Sequence, residues 1–366
     1  MLYDIDMTKN CYVHIPFCTQ KCNYCSFVSY PCLEKMTGYV YSLLKEISVN
    51  YGGEPLETLY IGGGTPSLVP IDLLKKILNK FLYVQNPEIT VEVNPEDVTE
   101  ELITAYMEMG INRISMGVQS LDDKILQIAG RRHTSKRALE AIDIIQSSGC
   151  KNLSLDLIYG LPSQTRQSFI KDVKCLLDYS INHISLYGLK IEEDSAFGKT
   201  LPLQLPDDDA QADMYQEVCE LLPSRGFIQY EVSNFAQIGF ESRHNMNYWN
   251  NNSYYGFGVA AHGYVDGFRY YNTSSLHEYM EKPDVTEYAH HVTDKERLEE
   301  EIFLGMRRVS GLDIAEINQK YNIDFLKKFD VQLKKYLGEF LLLENGTLKF
   351  TTQGFLLSNV ILSDFI

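Results

Sequence analysis

No run in the chain approaches eighteen consecutive apolar residues, so no membrane-spanning helix is expected. Basic charge is scarce: 33 Lys and Arg face 49 Asp and Glu, a formal net charge of −16. A basic footprint for nucleic acid is absent at the whole-chain level, and no nucleic-acid partner is expected. The opening MLYDIDMTKN carries acids and no apolar core. No signal peptide is expected from it, and a cytoplasmic location is. Tryptophan occurs once, at Trp249, and cysteine only eight times in 366 residues, far below a disulfide scaffold. The remaining composition, 45% hydrophobic and 22% charged, is that of an ordinary globular protein and excludes disordered and fibrous classes. The length suggests two or three domains. The feature that stands out is placement. Cys11, Cys18, Cys22, Cys25 and Cys32 crowd into one short window, which in a cytosolic chain points to a metal or redox site.

Along the first half, short apolar runs alternate with amphipathic stretches. Strands are expected at Tyr12–Ile15, Thr58–Ile61, Ile89–Val93, Arg113–Val118, Leu153–Ile158 and His183–Leu189. Helices are expected at Met36–Ser48, Ile71–Phe81, Glu100–Met109, Ser135–Ser147 and Gln167–Leu177. Strand followed by helix, repeated, reads as βα units around a parallel sheet, either doubly wound or an incomplete barrel. Polar residues or glycines stop each apolar run: His14, Gly62–Thr65, Glu92 with Asn94, Gln119, Asp156 and Tyr187. In parallel α/β folds ligands bind outside the carboxyl ends of the strands, so these ends read as one shared site.

After Lys199 the composition changes. TLPLQLPDDDA reads as a loop leading to an Asp-capped helix from about Ala210 to Leu222. Residues 227–275 are rich in Tyr, Asn and Gly. From Thr293 the order is helix, helix, helix, then a hairpin of Phe340–Leu343 and Thr347–Phe350 around Glu344-Asn345-Gly346, which is winged-helix-like. Residues 295–366 hold ten Lys and Arg against eleven Asp and Glu, too little positive charge for phosphate binding. That module is read as a packing or partner module.

Cys18, Cys22 and Cys25 are spaced C-x3-C-x2-C. Three thiolates without a fourth suit either a zinc ion completed by His14 or His133, or a [4Fe–4S] cluster with one iron open to a small ligand. No second cysteine pair supports zinc, and Cys11 and Cys32 lack ligand spacing. Gly62-Gly63-Gly64-Thr65-Pro66 lets backbone approach a ligand closely. It is neither a P-loop nor GxGxxG.

The cysteine spacing after the first strand, with GGGTP after the second, resembles the radical S-adenosylmethionine superfamily. YVHIPFC, YIGGGTPS, VEVNPED, GVQS followed by GRRH, LDLIYGLP and RHNMNYW together resemble its coproporphyrinogen-dehydrogenase-like branch, and within it the heme chaperones. The resemblance runs from Tyr12 to the C-terminal module. It implies a partial (β/α)6 TIM-like barrel over residues 1–200, an extension at 201–292 carrying HNMNYW, and a winged-helix-like module at 293–366. It implies a [4Fe–4S] cluster on Cys18, Cys22 and Cys25. It also implies S-adenosylmethionine contacts at Tyr12, Tyr24, Gly63, Gly64, Thr65, Glu92, Gln119, Arg131 and Asp156. Some of these positions serve a second S-adenosylmethionine in the dehydrogenases, which leaves the number bound here open.

The oxidative decarboxylases of the branch carry a further cysteine two residues after the third ligand, where this chain has Phe27, and a longer segment before the motif. Both differences point away from oxygen-independent conversion of coproporphyrinogen III to protoporphyrinogen IX. HNMNYW points toward heme, with His244 and Trp249 as candidate contacts and His262 as a weaker rival. The function expected is a heme chaperone, with heme and heme-acceptor proteins of the respiratory chain as partners. The alternatives are the radical decarboxylase and a zinc-stabilised interaction protein. Peripheral membrane association and a homodimer are left open.

Overall fold

The computed structural model describes residues 8–284 and 286–366, so most of the opening segment read for a leader lies outside the described residues. The chain forms two compact units: Met1–Tyr215 with Ser253–His290, and Gln216–Asn252 with His291–Ile366. The stretch read from sequence as 201–292 is shared between them.

The first unit holds six strands and six helices in an incomplete barrel, two of the helices following the fourth strand. They are β1 (Asn10–Ile15), α1 (Met36–Asn50), β2 (Leu56–Gly63), α2 (Ile71–Leu78), β3 (Tyr83–Val93), α3 (Glu100–Glu108), β4 (Arg113–Gln119), α4 (Asp123–Ile128), α5 (Ser135–Ser147), β5 (Leu153–Tyr159), α6 (Arg166–Leu176) and β6 (His183–Gly188). Within this unit the sheet runs β6-β5-β4-β3-β2-β1, and Tyr255–Phe257 adds a further strand beside β1. Each of these pairs is parallel.

Every strand divides its residues between two faces, as the two-residue period requires. One face is apolar and packs under the helices: Val13 and Ile15, Leu59 and Ile61, Val91, Ile114 and Met116, Leu155 and Leu157, Ile184 and Leu186 are all buried. Each such side chain contributes about 1.5–3 kcal/mol on leaving water. The other face is polar and forms rows across the sheet. Tyr12 lies opposite Tyr60, Tyr60 opposite Thr90, and Thr90 opposite Arg113. Glu92, Ser115, Ser154 and His183 form a second row. Buried polar groups destabilise unless paired, and several of these are paired: Tyr60 donates to Glu92 at 2.7 Å, Ser115 to Asp156 at 3.1 Å, and Ser154 meets His183 Nδ1 at 2.7 Å, whereas Thr90 Oγ1 is buried without a hydrogen-bond partner. A polar barrel interior holds the chain together less well than an apolar one, and it equips the barrel to bind a polar ligand.

The helices start where side-chain acceptors cap them. Thr99, Asp122, Thr134 and Thr165 accept from the first-turn amides of α3, α4, α5 and α6, respectively. α4 is the element the periodicity did not announce, because at six residues it is too short to show a period. The expected helix near Ala210 is Asp208–Leu221, and Asp207 accepts from the Ala210 amide at 2.8 Å.

In the second unit, helices Asp294–Gly305, Ile314–Tyr321, Phe325–Lys328 and Asp330–Tyr336 precede the hairpin Leu341–Glu344 and Thr347–Phe350. The single helix expected over Phe325–Leu337 breaks at Phe329, whose φ of −109° and ψ of 24° leave the helical region. A short strand, Leu312–Asp313, pairs with Thr347 and Leu348 and completes a three-stranded winged-helix-like sheet.

Candidate cluster and cofactor site

The cysteine loop follows β1. Its backbone is tied down by bonds that sequence proximity does not supply. The Cys18 amide donates to Tyr30 O at 3.2 Å, and the Asn23 amide donates to Ala129 O at 3.0 Å. The Asn23 side chain donates to Ile128 O at 2.8 Å. Gly130, at φ +75°, lets this loop approach closely, since a Cβ there would meet Asn23 at 3.1 Å. The end of α4 thus seats the loop that carries three thiols.

Those thiols line one cavity of about 480 Å³ at the carboxyl ends of the strands, a size suited to a small cofactor. Gly63, Gly64, Thr65, Glu92, Gln119, Arg131, Asp156 and Tyr24 line the same cavity. The strand ends converge at the second to sixth strands, whereas His14 at the end of the first does not line the cavity. Tyr12 does not line it. Tyr12 stacks behind Tyr60 with ring centroids 6.1 Å apart and donates to His14 Nδ1 at 2.9 Å. Tyr60, Asn94, Ser115 and Gly117 also line the cavity. Tyr60, Ser115 and Gly117 were not picked out from sequence, although alternation from Glu92 and Asp156 across neighbouring strands would have placed them on the same face.

Glycine is required at the loop after β2. Gly63 has φ +115°, and a Cβ on Gly64 would stand 2.6 Å from Phe17 O. The Gly63 amide donates to Glu92 Oε2 at 3.0 Å, while Tyr60 donates to Oε1. Burial pushes the Glu92 carboxyl up to about 7, with Asp156 raising it further and the Tyr60 and Gly63 donors and Arg113 pulling it down. Asp156 is raised as well, again by burial, against Ser185, Arg113, Ser115 and Ser154. Burial alone would lower the Arg131 guanidinium, but Tyr24, Cys22 and Glu96 around it hold it firmly protonated. Arg131 Nη1 donates to Cys22 Sγ at 3.4 Å, and Thr65 Oγ1 donates to Cys18 Sγ at 3.4 Å. Tyr24 rests on an apolar cluster of Ile125, Ala129, Ile158 and Leu161, so it fills core and lines the cavity at once.

Gln119 ends β4 with φ +66°, an unfavourable region for a non-glycine residue, at a register shift against β5. Its Oε1 is buried without a hydrogen-bond partner, as is Arg131 Nε. Orphaned buried groups of this kind are costly and call for a ligand. The donor set fits a cluster with a zwitterionic cofactor beside it: three thiols, acids at Glu92 and Asp156, and a guanidinium at Arg131. A zinc site fits worse. His14 donates from Nε2 to Val28 O at 3.0 Å and accepts from Tyr12 at Nδ1, so both nitrogens are engaged. His133 bonds Val118 O at 3.1 Å through Nε2 and faces Glu96 at 3.4 Å through Nδ1. Among the described residues no three His, Cys, Asp or Glu side chains gather around a single metal position.

Comparison with known proteins places the chain in a family. Residues 12–176 match the radical SAM superfamily, and residues 292–357 match the HemN C-terminal domain. A Lactococcus lactis protein named heme chaperone HemW is 35% identical over 98% of this chain and 97% of its own length. A Bacillus subtilis protein of the same name is 35% identical over 98% of this chain and 99% of its own. The chain belongs to the HemW family of the radical SAM superfamily. The fold is shared more widely: coproporphyrinogen III oxidase HemN from Escherichia coli superposes with a TM-score of 0.86 at 22% identity, over 97% of this chain and 89% of its own. Membership in the superfamily implies a [4Fe–4S] cluster and S-adenosylmethionine.

The heme candidates are divided between the two units. His244 and Trp249 sit on helix Arg243–Trp249 in the second unit, and His262 sits in a hairpin strand of the first. His244 is only 1% exposed, and its Nε2 meets the Tyr248 hydroxyl at 2.8 Å. Axial ligation through that nitrogen requires the ring to leave this bond. Trp249 Nε1 is buried without a hydrogen-bond partner, and the Arg307 guanidinium lies 5.7 Å from the Trp249 ring centroid. His262 is exposed and tilted against Tyr271 at 5.3 Å.

Proposed function

We propose that the chain is a cytoplasmic heme chaperone. It would hold a [4Fe–4S] cluster on Cys18, Cys22 and Cys25 and S-adenosylmethionine beside it, bind heme, and pass heme to acceptor proteins. The relatives named heme chaperone HemW support the chaperone reading. All eight cysteines are free thiols, which suits a reducing compartment. Among the described residues no helix is long and apolar enough to cross a membrane.

In this reading Glu92 and Asp156 receive the cationic and hydroxyl groups of S-adenosylmethionine, Arg131 receives its carboxylate, and Gly63, Gly64 and Thr65 bring the protein backbone close to its amino group. Tyr24 offers an aromatic face on the cluster side. When bound, the cluster and S-adenosylmethionine supply one-electron chemistry, and the protein's part is orientation and electrostatics.

The observation that carries the chaperone reading over the decarboxylase one is Phe27. It is 67% exposed on the cavity lining, where the decarboxylases place a further cysteine. Among the described residues the cavity lining holds no fourth thiol. Anaerobic incubation with coproporphyrinogen III, S-adenosylmethionine and a reductant is expected to yield no protoporphyrinogen IX. Product that disappears in Cys22→Ser would make the chain a decarboxylase instead.

A further inference from the structure

Asn94 stands where β3 ends, immediately before Pro95. Its side chain makes two bonds of opposite sense. Oδ1 accepts from Arg131 Nη2 at 2.7 Å, and Nδ2 donates to Thr65 Oγ1 at 3.1 Å. Both partners reach onward to sulfur: Thr65 donates to Cys18 Sγ and Arg131 donates to Cys22 Sγ, each at 3.4 Å. Arg131 Nη2 is also held by Gly117 O at 2.8 Å. A single amide therefore joins the two side chains that touch two of the three thiols. The donors run in one direction, from guanidinium to amide to hydroxyl to sulfur, and aligned chains of this kind strengthen one another. An amide supplies both an acceptor and a donor at this position, whereas a carboxylate cannot donate.

We propose that Asn94 is a positioning residue for the iron–sulfur cluster. It aims Thr65 and Arg131 at the sulfurs of Cys18 and Cys22, and so sets the cluster's reduction potential. The proposal rests on the cluster reading above. Hydrogen bonds and positive charge at cluster sulfurs favour the more negative, reduced state and raise the potential. Partners behind the ligands commonly tune a metal site in this way. Asn94 itself bonds none of the three sulfurs. It acts through the other two side chains.

The test is a redox titration, followed by electron paramagnetic resonance, of anaerobically reconstituted wild type, Asn94→Ala and Asn94→Asp. Iron, acid-labile sulfide and the melting temperature of the unloaded chain are measured alongside. Asn94→Ala is expected to keep its cluster content and melting temperature. At a fixed potential it is expected to hold up to about tenfold less reduced cluster, a negative shift of up to about 59 mV for one electron. Asn94→Asp, which loses the donor to Thr65 and gains a charge, is expected to shift at least as far. In a Thr65→Val, Arg131→Gln background, Asn94→Ala is expected to add nothing. Equal potentials in wild type and Asn94→Ala overturn the proposal. So does a full shift in that background, or a joint fall of cluster content and melting temperature. A wild-type chain that loads no cluster overturns the cofactor reading and this proposal with it.

Discussion

Cys22→Ser is expected to leave the chain without its cluster, with iron and acid-labile sulfide reduced more than tenfold after anaerobic reconstitution. Iron in such a cluster is held by soft thiolates. A serine hydroxyl stays protonated at neutral pH and offers a hard oxygen instead. Neither Thr65 nor Arg131 can substitute, since each only donates toward the sulfurs. The fold itself does not depend on Cys22: the loop's anchoring bonds come from the Cys18 and Asn23 backbone and the Asn23 side chain. Circular dichroism of the unloaded variant should therefore match wild type. A variant with full iron and sulfide would remove Cys22 from the ligand set.

S-adenosylmethionine affinity is expected to rise with pH, and Glu92 is the reason. Burial raises its carboxyl to about 7, with Asp156 adding to the shift and the Tyr60 and Gly63 donors and Arg113 opposing it. Below that value the free site holds a neutral acid, and one pH unit below it about ten protonated carboxyls stand for each carboxylate. A cationic ligand favours the carboxylate, so binding releases a proton. Affinity then climbs by up to about fivefold between pH 6 and 7 and by up to about tenfold from pH 6 to the plateau above the pKa. Asp156 is raised too, so the two acids titrate as a pair. Glu92→Gln is expected to flatten the rise and to weaken binding at pH 8 by on the order of 10- to 100-fold, the loss of one hydrogen-bonded charge. Calorimetry in two buffers of different ionisation enthalpy would read both the affinity and the released proton. An unchanged slope in Glu92→Gln would assign the proton elsewhere.

Much of this site was legible because its chemistry is written locally. Cys18, Cys22 and Cys25 share one loop, and Gly63, Gly64 and Thr65 share another. Gln119 closes β4 and Glu92 stands one residue inside the end of β3, whereas Asp156, read as a strand end, lies in the middle of β5 and reaches the cavity because its side chain is on the inward face. Tyr60 and Ser115 share the inward face with Glu92 but lie three and four residues inside the ends of β2 and β4, where a pattern of strand ends does not reach. The bonds from Arg131 to Cys22 and from Asn94 to Thr65 span 109 and 29 residues, and no local pattern announces either. Tyr12 matched its motif, yet its ring stacks behind Tyr60 instead of facing the cavity. In the C-terminal module the hairpin was announced by Asn345 and Gly346, both at positive φ. The two-residue strand Leu312–Asp313 was too short to carry an alternation.

The most direct test of the account is a heme titration of the anaerobically loaded wild-type chain, followed by absorption spectroscopy. A chaperone should saturate at a fixed ratio of heme to chain, with a spectrum that changes in His244→Ala. Absorption that grows linearly without saturation, or a bound spectrum indifferent to both His244→Ala and removal of the cluster, would contradict it.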